Sequence, residues 1–157
     1  MLKHSRFFSI FTACLFMITT IGCSTCPYTM KIPDAFKRFD SKKEFKFITA
    51  DGVKLKARES DNYPKASLNF WKDATREHLV QTGYTITGTN CFKTTDGLDA
   101  CTLKFALPQG AEDWTFWETI FVVDEKLVLI EAAGEYTRFT KIEKELETSL
   151  ASFNPNI

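Results

Sequence analysis

Apolar and polar positions switch between two periods along the chain, and each switch marks an element. Phe45, Phe47 and Thr49 alternate with Lys46 and Ile48, and Val53, Leu55 and Ala57 alternate with Lys54, Lys56 and Arg58. Period two on either side of Asp51-Gly52, a pair that tolerates positive φ, predicts a β-hairpin over 43–59. Leu68, Trp71, Thr75, Leu79 and Thr82 then follow three-four spacing and predict a helix over 65–82. Pro64 suits its first turn and Gly83 its left-handed end. Phe70 and Val80 fall off that stripe among Asp73, Glu77 and Gln81. A second hairpin over 84–107 turns at Thr94-Thr95-Asp96-Gly97-Leu98-Asp99, followed by a loop over 108–113. The run 114–123 carries large apolar groups on both faces, as in a central strand covered on two sides. Asp124-Glu125-Lys126 turns the chain into 127–133, where Gly134 is expected to end the strand. Phe139, Ile142, Leu146, Leu150 and Phe153 predict a closing helix over 136–152, capped by Glu135 or Thr137. The order β-β-α-β-β-β-β-α implies an α+β domain, an antiparallel sheet with two packed helices.

The N-terminal 22 residues follow a different rule. Lys3 and Arg6 precede an uncharged run from Phe7 to Ile21, short for a spanning helix and close to a signal-peptide core. Its end, Thr20-Ile21-Gly22-Cys23, resembles the lipobox of bacterial lipoproteins, with Thr20 in place of the usual Leu. Residues 1–22 are therefore expected to be a signal peptide, with Cys23 acylated. Plain cleavage and a retained anchor are the alternatives. One acyl chain holds a protein only marginally, at about 0.8 kcal/mol per buried methylene, so stable anchoring needs several. Residues 23–39, interrupted by Pro27 and Pro33, read as a lipidated tether. Within it, 33–39 carries Ala35, Phe36 and Phe39 and is either a short helical turn or a flexible spacer. Residues 40–157 form the single domain.

Composition narrows the chemistry. Aromatic residues make up 14% of the chain, with 15 Phe, which argues for a folded core. Net charge is zero and turns slightly negative once Lys3 and Arg6 leave, so the basic footprint of a nucleic-acid binder is missing. Of five cysteines, Cys14 leaves with the signal and Cys23 carries lipid. Cys91 and Cys101 lie five residues either side of Asp96 and face each other across the second hairpin. Export implies an oxidising compartment, so they are expected to form a disulfide. Cys26 is left over.

His78 is the one histidine of the mature chain and reads as a half-buried helix residue. It excludes a His-rich zinc site, and no G-x-S-x-G elbow accompanies it. The carboxylates Glu112, Asp113, Glu118, Asp124, Glu125 and Glu131 sit on strands and turns, where acids are common. The Lys46, Lys54, Lys56, Arg58 face reads as a solvated sheet face or a contact for acidic headgroups or a partner. Trp114, Trp117 and Phe70 are candidate contacts for a ligand or partner, with burial in the core as the plainer reading of the tryptophans.

One resemblance adds to this. Tyr63-Pro64-Lys65-Ala66-Ser67-Leu68 through Gly83-Tyr84, then 127–134 and Phe139 to Phe153, resemble the PsbP-like fold. That fold includes extrinsic photosystem subunits, a Ran-binding import factor and bacterial envelope lipoproteins. The resemblance covers structural positions over about 45–153 and carries no site residues. It implies an accessory or docking module and not an enzyme. The expectation is a periplasm-facing lipoprotein held on the bilayer, on the outer membrane in preference to the inner, through acylated Cys23. It would meet an envelope protein partner and need no metal, cofactor or nucleic acid. The alternative is a binding protein for a small hydrophobic or carbohydrate ligand.

Overall fold

Most of the alternating runs pair with their neighbours in sequence, and one long-range pairing, Lys54–Asp61 with Lys126–Glu135, joins them into one large sheet. The computed structural model describes residues 28–39, 46–109 and 112–155. In chain order these form β1 (Tyr28–Thr29), β2 (Phe36–Arg38), β3 (Lys46–Thr49), β4 (Lys54–Asp61), α1 (Leu68–Gln81), β5 (Thr85–Lys93), β6 (Asp99–Gln109), β7 (Glu112–Val123), β8 (Lys126–Glu135), α2 (Tyr136–Phe139), α3 (Glu143–Ala151) and β9 (Asn154–Pro155). Seven strands lie in the order β2-β3-β4-β8-β7-β6-β5, and β1 pairs with β9 apart from them. All these pairings are antiparallel. The fold is therefore α+β, as the pattern implies.

The sheet has helices on both faces. On one face, Leu55, Trp117, Phe121, Ile130 and Ala132 meet Phe139 of α2, Leu146 and Leu150 of α3, and Phe153 two residues beyond α3. Phe121 and Phe153 stack at 3.9 Å between centroids, and Trp117 meets Phe139 edge-on at 5.1 Å. Offset and edge-on pairs suit the ring quadrupoles and add about 0.5–1.5 kcal/mol each beyond area burial. On the other face, Leu103, Phe105, Ile120 and Leu127 meet Leu68, Trp71 and Leu79 of α1. No residue of α1 is fully buried, so this second layer is thinner than the first.

Several expectations change. Residues 33–39 are neither a helical turn nor a free spacer: Phe36–Arg38 is a strand against β3, with Phe36 opposite Thr49 and only 4% exposed. Tyr28 is also buried, its ring 5.5 Å from that of Phe153. Residues assigned to a tether thus belong to the folded domain from Tyr28 onward. Pro64 does not open the helix. Ser67 caps it, its hydroxyl oxygen accepting from the Phe70 amide at 3.3 Å. The closing helix is two, because Ile142 (φ −117°, ψ 1°) leaves helical geometry between α2 and α3. Thr140 and Ile142 are β-branched, and the Thr140 hydroxyl bonds the Thr137 carbonyl at 3.2 Å. Glu135 is the cap of α2, accepting from the amides of Thr137 and Arg138.

Gly134 does not end its strand. It lies inside β8 because a Cβ there would meet Val53 Cγ2 at 2.8 Å, so only glycine lets the two pack. Nor is 108–113 a plain loop: β6 runs to Gln109 and β7 starts at Glu112, with Pro108 opposite Asp113. His78 is exposed and not half-buried. The signal segment, Cys23 and Cys26 lie outside the described residues.

Candidate functional site

The disulfide is where the hairpin spacing puts it. Cys91 and Cys101 are register partners on β5 and β6, and their sulfurs are bonded with Cα atoms 4.0 Å apart. Beside it, the first turn of α1 and the bonded strands enclose a cleft of about 450 Å3.

The three aromatic candidates do not converge. Trp114 and Trp117 are three residues apart on a strand in continuous register, so they point to opposite faces. Trp117 is 1% exposed and belongs to the core under α2 and α3. Lys104 lies over its ring at 3.9 Å and is tied to Glu147 at 2.9 Å. Its edge reaches only a cleft of about 130 Å3, small against the roughly 300–1,000 Å3 of ligand pockets. Trp114 is half-buried near the far end of β7. Phe70 faces solvent on α1, 52% exposed, its ring 5.4 Å from Trp71. A wider cleft, about 880 Å3, lies between 31–35 and α3, where Ile32, Pro33 and Ile142 line it together with Lys141, Glu145 and Thr148.

Phe70 is held on a rigid base. Asn62, 5% exposed, accepts at Oδ1 from the Ala66 amide at 3.0 Å and from Trp71 Nε1 at 2.7 Å. Its Nδ2 donates to the Ala66 carbonyl at 3.2 Å. The Asn62 amide donates to the Glu125 carbonyl at 2.7 Å, which ties this loop to the β7–β8 turn. Tyr63 follows and is 86% exposed. Sequence inspection passes over Asn62, since an Asn before Tyr-Pro reads as ordinary loop. Its one signal is the short step to Trp71, whose indole needs an acceptor when partly buried.

The basic face is real and has acidic partners. Lys56, Glu131 and Glu118 are consecutive neighbours across β4, β8 and β7. Lys56 Nζ is 2.8 Å from Glu131, Arg58 is 3.0 Å from Glu118, and Arg58 Nε also pairs with Glu131. Glu118 is 3% exposed, and burial pushes its carboxyl above the usual range. The Arg58 guanidinium opposes that push and the nearby Glu131 carboxylate adds to it. The cations stay wet, with Lys56 and Arg58 side chains 46% and 54% exposed. Helix α1 packs on β5, β6 and β7. Among the described residues no helix covers β3 and β4 on this face. Lys54, Lys56 and Arg58 therefore stand on an open half-sheet with Ile48 among them.

Among the described residues, no group of three His, Cys, Asp or Glu side chains is placed to hold a metal ion. No helix there is long and apolar enough to cross a membrane.

No protein-family model matches this chain, and no curated protein is similar to it in sequence. Solved structures do match. LpqN of Mycobacterium tuberculosis, described as involved in cell envelope biogenesis, superposes with a TM-score of 0.63 at 12% identity, over 85% of this chain and 86% of its own. PA94 of Pseudomonas aeruginosa, a protein of unknown function, gives 0.61 at 13%, over 82% and 96%. CyanoP, the cyanobacterial PsbP of Synechocystis sp. PCC 6803, gives 0.59 at 14%, over 82% and 86%. This is a PsbP-like fold. At such identities the likeness reaches the PsbP-like architecture and no further.

Proposed function

We propose that this PsbP-like domain is a non-enzymatic docking module of the bacterial cell envelope. It is exported, cleaved before Cys23 and held by lipid on the bilayer, on the outer membrane in preference to the inner. The observation that carries the docking role is the open half-sheet. Lys54, Lys56 and Arg58 stand at alternate positions of β4, on one face, without a covering helix among the described residues. Lys56 and Arg58 are paired with Glu131 and Glu118 beneath them but stay half exposed, so with Lys54 the face keeps a net positive charge that matches an acidic patch on another protein, where charge complementarity speeds encounter and fixes register. An envelope role is also consistent with the fold shared with LpqN, described as involved in envelope biogenesis. The ligand-binding alternative loses its basis when Trp117 enters the core and Trp114 and Trp117 face apart.

Two measurements test this. Intact mass of the membrane-extracted chain should give an N-terminus at acylated Cys23, and any other mature N-terminus ends the lipid reading. Cross-linking in intact membranes should capture an acidic partner that Lys54→Glu releases. Capture unaffected by the charge reversal would sink the docking role.

A further inference from the structure

The chain enters the fold much closer to Cys23 than a tether ending at residue 39 allows. Tyr28 is already paired with Pro155, and four residues, Ser24 to Pro27, separate it from Cys23. Five Cα–Cα steps reach at most about 18 Å. If Cys23 is acylated, as the reading above has it, the bilayer surface lies within that distance of Tyr28.

The end of the sheet that Tyr28 occupies is fixed by its contacts. Its ring meets Phe153, which stacks on Phe121. Phe121 pairs with Ala100 and Val128, next to the β5–β6 and β7–β8 turns. The Thr95 amide of the first turn donates to the Ala151 carbonyl at the end of α3. Asn62, bonded to Glu125 of the second turn, brings Tyr63 to this same end. The first turn of α1 arrives there too, since Ser67 and Asn69 share a cleft with Lys93 and Asp99. Phe70 is in that first turn, where side chains tilt toward the helix N-terminus and so toward this end.

We infer that Tyr63 and Phe70 are seated in the bilayer interface and orient the domain, with the β5–β6 and β7–β8 turns facing the membrane. Both are large, exposed and aromatic, at 86% and 52%. The amphipathic ring of tyrosine favours the headgroup level, and the apolar ring of phenylalanine buries at the boundary with the acyl chains. The contact is apolar and not electrostatic. Lys93 pairs with Asp99 and Lys126 with Asp61, which leaves Lys31 and Lys65 against Asp96, Asp124 and Glu125. Among the described residues this end therefore carries no net positive charge to draw anionic lipid. The orientation also leaves the basic half-sheet pointing sideways, open to a partner.

Two other exposed apolar groups serve as controls. Val80 is 44% exposed near the end of α1, and Tyr136 is 56% exposed after Glu135, both at the opposite end of the sheet. The chain purified from membranes is reconstituted in vesicles of phosphatidylethanolamine and phosphatidylglycerol carrying a carbene-generating phospholipid. Intact mass is read first, then the label on each peptide. The expected result is acylated Cys23 with at least threefold more label on the Tyr63 and Phe70 peptides than on those with Val80 and Tyr136. Equal or reversed labelling on an acylated chain overturns the orientation and leaves the lipid reading standing. A chain without acylation overturns both. Label on Tyr63 and Phe70 that rises in step with the phosphatidylglycerol fraction also overturns the apolar contact.

Discussion

Arg58 is the group whose loss says most about the half-sheet. It is bonded to Glu118 at 3.0 Å and also paired with Glu131, while Lys56 holds Glu131 independently at 2.8 Å. Arg58→Ala therefore leaves Glu131 paired with Lys56 and strips Glu118, 3% exposed, of the guanidinium that bonds it. A hydrogen bond to a charged group contributes about 1.5–3 kcal/mol, and a fully buried pair costs more to break. Arg58 is itself 54% exposed and screened, so the lower half of that range applies, about 2 kcal/mol at neutral pH. For a domain of this size that is a fall in Tm of about 8 °C.

The pH dependence has a definite sign. The Glu118 carboxyl is raised by burial, so over the window between its unfolded and folded values the folded state binds more protons. Stability is lost as pH rises through that window. Removing the guanidinium raises the folded value further, so the penalty of Arg58→Ala should be full above the window and shrink as pH falls. Glu118→Gln abolishes the charge and should rescue most of the loss in the double variant. Urea denaturation of the wild type, both single variants and the double variant, at pH 7.5 and 5, gives the cycle directly. A loss under about 0.5 kcal/mol, or one that does not change with pH, would refute the reasoning, placing Arg58 among surface ion pairs of no consequence.

Other predictions follow from the packing. Cys91→Ser with Cys101→Ser should cost about 2–3 kcal/mol for a short closed loop, seen as a lower urea midpoint that reductant no longer shifts. Gly134→Ala should cost about 1–3 kcal/mol, because the new methyl meets the stiff, fully buried Val53; an unchanged midpoint would mean that β4 and β8 can part. Trp117→Ala should cost about 3–5 kcal/mol by calorimetry, whereas Phe70→Ser should stay within about 0.5 kcal/mol, since one ring is in the core and the other in solvent.

The alternation around Asp51-Gly52 and the spacing of Leu68, Trp71 and Leu79 determined strands and a helix locally, because period two and period 3.6 leave one face apolar whatever the partner. Cys91 and Cys101 were legible for the same reason: a hairpin's register follows from its turn. Phe139, Ile142, Leu146 and Leu150 fixed which side of the last segment is buried, but not that Ile142 interrupts it. What the tertiary structure alone decided was pairing between distant segments. Tyr28 carries no periodicity and Phe36 sits in a spacing that hints at a helical turn, yet β9 and β3 give their backbones strand partners and the core takes their rings. Gly134 reads as a breaker until Val53 is placed against it. Glu118 is an ordinary strand carboxylate until β4 brings Arg58 across, sixty residues away in sequence. The two tryptophans of β7 separate because successive positions on a strand alternate faces, and only the placement of α1 and of α2 with α3 determines which face becomes core. Local periodicity fixes what one element buries; which distant segment covers it depends on the closure of the whole sheet.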